Sequence, residues 1–268
     1  MEIDFKHKIT LAIIGLFGTV TIIVLINQYG IGLTPDSVYY ISVARHIADG
    51  SGFVGYDGYS FVLEPPLYPF LLADIKILFN IDPLISSGYL NAILLGLIIY
   101  YSGLLFSRHL KSLSLTMIGI ASILILFILL KIFMNALSEP QFIMLIILYL
   151  YYIDIYRLKK TYPLLIFISI AASLTSLTRY VGVIMILTGA ISIFTFGREN
   201  FKQMLKHLSL FLILTILPIS LWILRNYFVT GTLVGQRAGS SYNLSQNMMF
   251  FFNAILNWLL PVQINYQP

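Results

Sequence analysis

Long apolar runs separated by short polar segments repeat along almost the whole chain. A membrane-spanning helix needs about 20 apolar residues to cross about 30 Å of hydrocarbon, and most of the runs approach that length. The pattern therefore predicts an all-α polytopic membrane protein with about seven spans. The seven runs, and a shorter eighth one, cover residues 9–27, 84–106, 112–133, 141–156, 162–178, 181–196, 208–227 and 248–262.

The composition excludes an ordinary soluble domain. Hydrophobic residues make up 59% of the 268 residues and charged residues only 10%, whereas a soluble domain carries about 25% charged residues. The chain has no cysteine, which rules out disulfides, thiolate metal sites and cysteine nucleophiles. Its net charge of +5 comes from basic residues in short loops. That placement is typical of membrane orientation and does not indicate a nucleic-acid partner.

The basic residues also predict the orientation of the chain. With a cytoplasmic N-terminus, ten of the sixteen Lys and Arg residues fall on the inner side and most acidic residues fall on the outer side. The positive-inside rule favours this arrangement. We therefore expect a multi-pass protein of the cell membrane whose first loop, at about 27–83, is extracytoplasmic. The inner basic residues are Lys6, Lys8, Arg108, Lys111, Arg157, Lys159, Lys160, Arg198, Lys202 and Lys206, and the outer ones are Arg45, Lys76, Lys131, Arg179, Arg225 and Arg237.

The first outer loop contains signals for two helices that do not cross the membrane. Thr34 is placed to cap a helix that starts at Pro35, and Gly50 is placed to end it. Polar and apolar residues fall on opposite sides of this segment, which predicts a helix lying along the membrane surface. After Pro65 and Pro66, the apolar segment from Leu67 to Phe79 is too short to span. We expect it to be interfacial or re-entrant.

Five polar motifs stand at the predicted outer ends of apolar segments. Ionisable groups beside hydrocarbon are costly and usually need partners, so a shared outer site is the simplest explanation of five such motifs. In chain order they are TPDSVYY at 34–40, LEPPLYP at 63–69, ALSEPQF at 136–142, TRYVG at 178–182 and LWILRNYFVTG at 221–231.

Each motif also has a purely structural explanation. A carboxylate in the first turn of a helix, such as Asp36, is favoured by the helix dipole. Ser138 followed by Gln141 matches a capping box, so Glu139 would simply begin a span. Arg179 and Arg225 would extend to the lipid headgroups as interfacial anchors.

Two further features leave alternatives open. The short runs 162–178 and 181–196 meet with almost no loop, which fits either a tight hairpin or one broken helix. His46 lies near Asp49, but no second histidine stands at metal-ligand spacing, so we predict no metal site there.

Taken in order, the outer motifs resemble those of glycosyltransferase family 39. This family comprises the dolichyl-phosphate-mannose protein mannosyltransferases and their prokaryotic relatives, which include the lipid A aminoarabinose transferases. The resemblance covers about residues 8–240 and rests on the first-loop Asp followed by Tyr, then ADGSGF, PPLYP, SEP, TRYVG and WILRNY. It implies the GT-C fold, and transfer of a sugar from a polyprenyl-phosphate carrier to a hydroxyl acceptor at the outer face.

The resemblance also implies residue roles. Asp36 matches the catalytic carboxylate that acts on the acceptor hydroxyl. Many family members follow it with an acidic residue, but here Ser37 follows, so Glu64 is the nearest candidate for a second carboxylate. Arginine suits the leaving phosphate. The substrate-binding candidates are Tyr39, Tyr40, Tyr68, Glu139, Arg179, Tyr180, Arg225 and Arg237.

The expected partners follow from the same resemblance. They are a polyprenyl-phosphate-linked sugar, the lipid bilayer and a hydroxyl-bearing acceptor, with no nucleic acid. No nucleotide cofactor is needed once the sugar is on the lipid, and a requirement for a divalent cation is left open.

The chain departs from the family in length. Family members usually continue through further membrane helices, so we expect a single transmembrane module, 1–268, that is shortened at its C-terminus and closes with an outer segment at about 229–268. One rival is a non-catalytic or split module that binds a lipid-linked sugar or a second chain. Another is a transporter or flippase, which should carry mid-span ionisable groups and inverted repeats. The sequence shows no repeat.

Overall fold

A computed structural model describes residues 4–110, 112–197, 200–236 and 242–259. Within these ranges the chain is helical, with two isolated β-bridges and no β-strand. The all-α prediction is confirmed. The helices are α1 (Phe5–Tyr29), α2 (Pro35–Ala48), α3 (Leu67–Phe79), α4 (Pro83–Leu110), α5 (Leu113–Ile125), α6 (Phe127–Phe133), α7 (Glu139–Lys159), α8 (Tyr162–Thr178), a 3-10 turn (Tyr180–Gly182), α9 (Val183–Phe196), α10 (Phe201–Thr230) and α11 (Leu244–Leu259).

Four helices, α1, α4, α7 and α10, are long and apolar enough to cross a membrane. The bent pair α5 and α6 would make a fifth span, whereas α8 and the segment from Tyr180 to Phe196 are shorter apolar helices. The membrane class is therefore confirmed with four or five candidate spans among the described residues. The count of seven spans stays a prediction.

The run 112–133 was expected to form one span; it folds as two helices, which are either one broken span or a re-entrant loop. It is broken between α5 and α6, which meet at an angle of 60°. Leu126 leaves the helical region with a ψ of 95°. The end of α6 is tied elsewhere, because Gly32 donates a backbone hydrogen bond to Met134 and the Asn91 side chain donates to the carbonyls of Phe133 and Asn135.

Helix α2 has the predicted bounds. The Thr34 side chain accepts a hydrogen bond from the Ser37 backbone at 3.2 Å, and the Ser37 side chain accepts one from the Thr34 backbone at 3.0 Å. This capping box fixes the start of the helix. Gly50, just beyond the helix end, has a φ of +84°, which a glycine adopts at no steric cost.

Helices α8 and α9 form a hairpin, which decides between the two alternatives left open by the sequence. Arg179 has extended backbone at the turn, and the 3-10 turn packs back onto the end of α8. At Gly182 an added Cβ would lie 2.6 Å from the backbone nitrogen of Ser176 and closer still to the carbonyl of Thr175. Only glycine allows this close approach.

The chain forms two compact units, 1–235 and 236–268. In the first unit α1 packs along α4, while α7, α8, α9 and α10 pack on one another. One core cluster joins residues of α2, α3 and the first loop to α7, α8, α9 and α10. The first-loop helices are thus part of the same core as the bundle. In the second unit, α11 takes up most of the apolar run predicted at 248–262.

Candidate functional site

The five polar motifs meet at one end of the first unit. We call this the α2 end, because α4 and α7 begin and α8 and α10 finish there beside α2. The Tyr40 hydroxyl lies 3.3 Å from the Ser138 hydroxyl, and Tyr180 donates a hydrogen bond to the carbonyl of Val62 at 3.0 Å. Arg225 donates to the carbonyl of Phe61 at 2.7 Å. Segments that are up to 164 residues apart in sequence are therefore in direct contact.

The two predicted catalytic carboxylates belong to segments next to Tyr40: Asp36 lies in the same helix, and Glu64 lies between Phe61 and Tyr68, which both pack on the Tyr40 ring. Asp36 lies exposed in the first turn of α2, and Glu64 is half-buried where the first loop leads into α3. Burial raises the pKa of the Tyr40 phenol above its ordinary value; the Ser138 hydrogen bond opposes this rise, Glu64 and Asp36 add to it, and Arg179 opposes it. Both carboxylates and the guanidinium therefore act on one buried phenol.

Ser37, the residue that follows Asp36, has a structural role. Its side chain is fully buried and takes part in the capping box of α2. A carboxylate at this position would lose that hydroxyl pairing.

Arg179 is held by an ion pair. Its Nη1 lies 2.6 Å from Glu139 Oε1 and also donates to the Ser138 hydroxyl at 3.3 Å. The two charged side chains are each about 30% exposed. The other Glu139 oxygen, Oε2, is buried and has no hydrogen-bond partner among the described residues.

The prediction of a capping box at Ser138 and Gln141 is wrong. Ser138 makes no capping hydrogen bond, because its hydroxyl faces Tyr40 and Arg179. The Gln141 side chain donates to the Thr178 hydroxyl at 3.4 Å. The purely structural explanation of this motif is correct only in that Glu139 is the first residue of α7.

The remaining tyrosines of the predicted site line its base. Tyr68 is fully buried and packs edge to face on Tyr40, with ring centroids 5.2 Å apart. Tyr39 is half-buried between Tyr56 and Phe61. Burial, reinforced by the Asp57 carboxylate, raises the pKa of Tyr39.

Arg225 is placed differently from Arg179. Its guanidinium donates to the carbonyls of Phe61 and Phe53 and to the Asn226 side chain, and it lies 4.8 Å from the centroid of the Trp222 ring. It therefore binds the first loop and does not extend to a headgroup. Arg237, the last predicted arginine, lies outside the described residues.

Sequence reasoning missed the contacts that fix α2 in place. Arg45 forms a two-pronged pair with Asp82, with both N–O distances at 2.9 Å, and Lys76 pairs with Asp49 at 2.7 Å. His46 Nδ1 lies 2.7 Å from the carbonyl of Val54. No local pattern signals these pairs, because each joins α2 to a different segment.

No protein-family model matches the chain, and no curated protein or solved structure is significantly similar to it. The chemistry must therefore be argued from the geometry of the site. Asp36 and Glu64 are the carboxylates of the site that could hold a divalent cation. In the described part of the chain, no group of three or more His, Asp or Glu residues is arranged to bind a metal.

The opposite end of the bundle has a different character. Asp154 is shared by Arg108 at 2.7 Å and Arg157 at 3.3 Å, with His109 at 3.6 Å. A cavity of about 210 Å³ also lies at this end, lined in part by Tyr156 and His207. Both features are remote from the five motifs and do not belong to the candidate site.

Proposed function

We propose that the protein is a membrane glycosyltransferase of the GT-C type, which moves a sugar from a polyprenyl-phosphate carrier to a hydroxyl acceptor at the α2 end. The observation that carries this proposal is the contact between segments distant in sequence at the α2 end, where the Ser138 hydroxyl lies beside both the Tyr40 hydroxyl and the Arg179 guanidinium. An exposed carboxylate, a second carboxylate and a guanidinium are the groups that this transfer needs.

Asp36 is the proposed general base. An acceptor hydroxyl is a poor nucleophile at neutral pH, and a positioned carboxylate that takes its proton contributes about 10²–10⁴ in rate. As the proton passes to Asp36, the acceptor oxygen bonds to the anomeric carbon. The bond from that carbon to the phosphate oxygen breaks, and the polyprenyl phosphate leaves with the electron pair. Glu64 orients the acceptor in this scheme.

Arg179 is the proposed phosphate ligand. A guanidinium has five N–H donors in a planar fork, and in this structure one nitrogen serves Glu139 and Ser138. The pairing with Glu139 fixes the orientation of the fork and leaves donors for the leaving phosphate. Charge on the phosphate grows as the glycosidic bond breaks, so a fixed guanidinium stabilises the transition state more than the ground state.

The finer features of the proposal are the membrane arrangement and the partners. We infer seven spans with a cytoplasmic N-terminus, so that the α2 end is extracytoplasmic. We also infer that the protein's partners are the polyprenyl-phosphate-linked sugar, the lipid bilayer and the hydroxyl-bearing acceptor. The distribution of charge supports this orientation. Arg108 and Arg157 lie at the Asp154 end, and Lys159 and Lys160 follow Arg157 closely in the chain, so the positive-inside rule makes this end the cytoplasmic one.

The experiment follows sugar release from a polyprenyl phosphate bearing a labelled sugar, with the protein in liposomes. Mannose and aminoarabinose donors are compared, each with and without a chelator. Asp36→Asn should lower the rate by about 10²-fold or more with normal expression, and Glu64→Gln should lower it less. The matched control is Asp57→Asn, because Asp57 is an exposed carboxylate on the same loop whose side chain accepts a hydrogen bond from the Tyr59 backbone. Full activity in Asp36→Asn would refute the mechanism.

A further inference from the structure

The loop that leads to Glu64 is closed by backbone hydrogen bonds between residues 53–55 and residues 59–61, which together we call the neck. The Phe61 backbone donates to the carbonyl of Phe53 at 2.9 Å, and Gly55 donates to Tyr59 at 2.8 Å. Glu64 follows the neck by only three residues, a reach of at most about 11 Å even in extended chain. The position of the Glu64 carboxylate is therefore limited on one side by this neck and on the other by the buried Tyr68 at the start of α3.

Arg225 of α10 donates hydrogen bonds to both sides of the neck. Its Nη1 donates to the carbonyl of Phe61 at 2.7 Å and its Nη2 approaches the carbonyl of Phe53 at 3.5 Å. The guanidinium also stacks over Trp222 at 4.8 Å and lies 5.7 Å from the Phe53 ring. A planar fork can make two hydrogen bonds and an aromatic stack together, whereas a lysine ammonium is a point charge without a stacking face.

Tyr180 ties the next residue of the loop to the same helix. Its hydroxyl donates to the carbonyl of Val62 and accepts hydrogen bonds from the Trp222 indole at 3.1 Å and from the Asn226 amide at 3.2 Å. Tyr180 directly follows Arg179 in the chain. The segment that carries the proposed phosphate ligand and the segment that carries Glu64 are thus joined through one hydroxyl.

We propose that Arg225 is a positioning residue, which clamps residues 53–62 to α10 so that Glu64 faces the same site as Asp36. This inference rests on the proposed function for its catalytic consequence, but the clamp itself does not depend on that function. It assigns the two arginines different roles: Arg179 binds the donor phosphate, and Arg225 orders the loop.

The two roles predict different kinetic effects. Arg179 binds the donor phosphate and stabilises the charge that grows on it, so Arg179→Lys should raise KM for the polyprenyl-phosphate sugar and also lower kcat. Loss of the clamp leaves the phosphate ligand in place but lets Glu64 move, so Arg225→Lys should lower kcat with little change in donor KM. An interaction that matters only for the reacting geometry appears in kcat.

Hydrogen exchange of the loop tests the clamp without reference to activity. In Arg225→Lys we expect amide exchange in residues 53–62 to rise about tenfold or more, because the hydrogen bonds from a charged donor to two loop carbonyls are lost. The matched control is Arg45→Lys, an exposed arginine whose partner is Asp82 and not the loop. The control should leave loop exchange unchanged.

Each outcome decides one part of the account. Unchanged loop exchange in Arg225→Lys overturns the clamp, and a raised donor KM with a protected loop makes Arg225 a phosphate ligand instead. Faster loop exchange in Arg225→Lys, found together with a wild-type protein that transfers no sugar, supports the clamp and overturns the proposed function. If Arg225→Lys is not recovered folded, Tyr180→Phe removes the bond to Val62 and is subject to the same exchange test.

Discussion

The ion pair between Glu139 and Arg179 should contribute measurable stability. At a charge separation of about 4 Å and an effective dielectric constant near 20, the attraction is about 4 kcal/mol. Each side chain is about 30% exposed, so desolvation and solvent screening offset much of this. Exposed pairs yield about 0.2–1 kcal/mol, and breaking a fully buried pair costs about 3–5 kcal/mol. We expect a coupling free energy of about 1–2 kcal/mol, between these limits.

A double-mutant cycle measures this coupling. The variants are Glu139→Gln, Arg179→Gln and the double substitution, and the free energy of unfolding is obtained by titrating SDS into mixed micelles with circular dichroism as the signal. The matched control is the same cycle on Arg45 and Asp82, whose side chains are 45% and 39% exposed. A coupling between Glu139 and Arg179 no larger than in the control would refute the reasoning, since partial burial would then add nothing.

Three further predictions concern packing, orientation and pH. An alanine Cβ at Gly182 would collide with the backbone of α8, whereas at Gly88 it would meet only isoleucine methyl groups at 3.1 Å or more. We therefore expect Gly182→Ala to lower the free energy of unfolding by about 1–3 kcal/mol more than Gly88→Ala does. Single cysteines at Ser51 and Lys160 should label from opposite sides of sealed cells, and labelling of both from outside would refute the orientation. The hydrogen bond from the Arg45 guanidinium lowers the pKa of Asp82, so the stabilisation that ionised Asp82 gives the fold is complete above the ordinary carboxyl pKa and is lost as pH falls through the lowered value. Asp82→Asn should therefore reduce the difference between the free energies of unfolding measured at pH 3 and at pH 6.

Local signals predicted the start of α2 well. Thr34 and Pro35 act within one helical turn, and Gly50 acts at the chain reversal, so their effects can be read from neighbouring residues. The apolar runs likewise predicted α1, α4, α7 and α10, because span length is a local property. The break at Leu126 was not predictable, since no glycine or proline stands there and the cause lies in contacts made by the end of α6.

The candidate site was predictable as a set of residues but not as a set of contacts. Threading the chain through a membrane brings the five motifs to one side, and the structure brings them together. Which group pairs with which depends on packing between distant segments. Ser138 illustrates this. Its spacing to Gln141 predicts a cap, but in the folded chain its hydroxyl binds Tyr40 and Arg179 instead of a backbone N–H group.

The location of a bound polyprenyl phosphate tests the central claim most directly. A structure of the chain in lipid nanodiscs with a polyprenyl phosphate, determined by electron cryomicroscopy, would show where the phosphate lies. We predict that it lies at the α2 end, within hydrogen-bonding distance of the Arg179 guanidinium and open to Asp36, with Arg225 still bound to the carbonyl of Phe61. A phosphate bound at the Asp154 end, or one that leaves Arg179 in contact with Glu139 alone, would contradict the account.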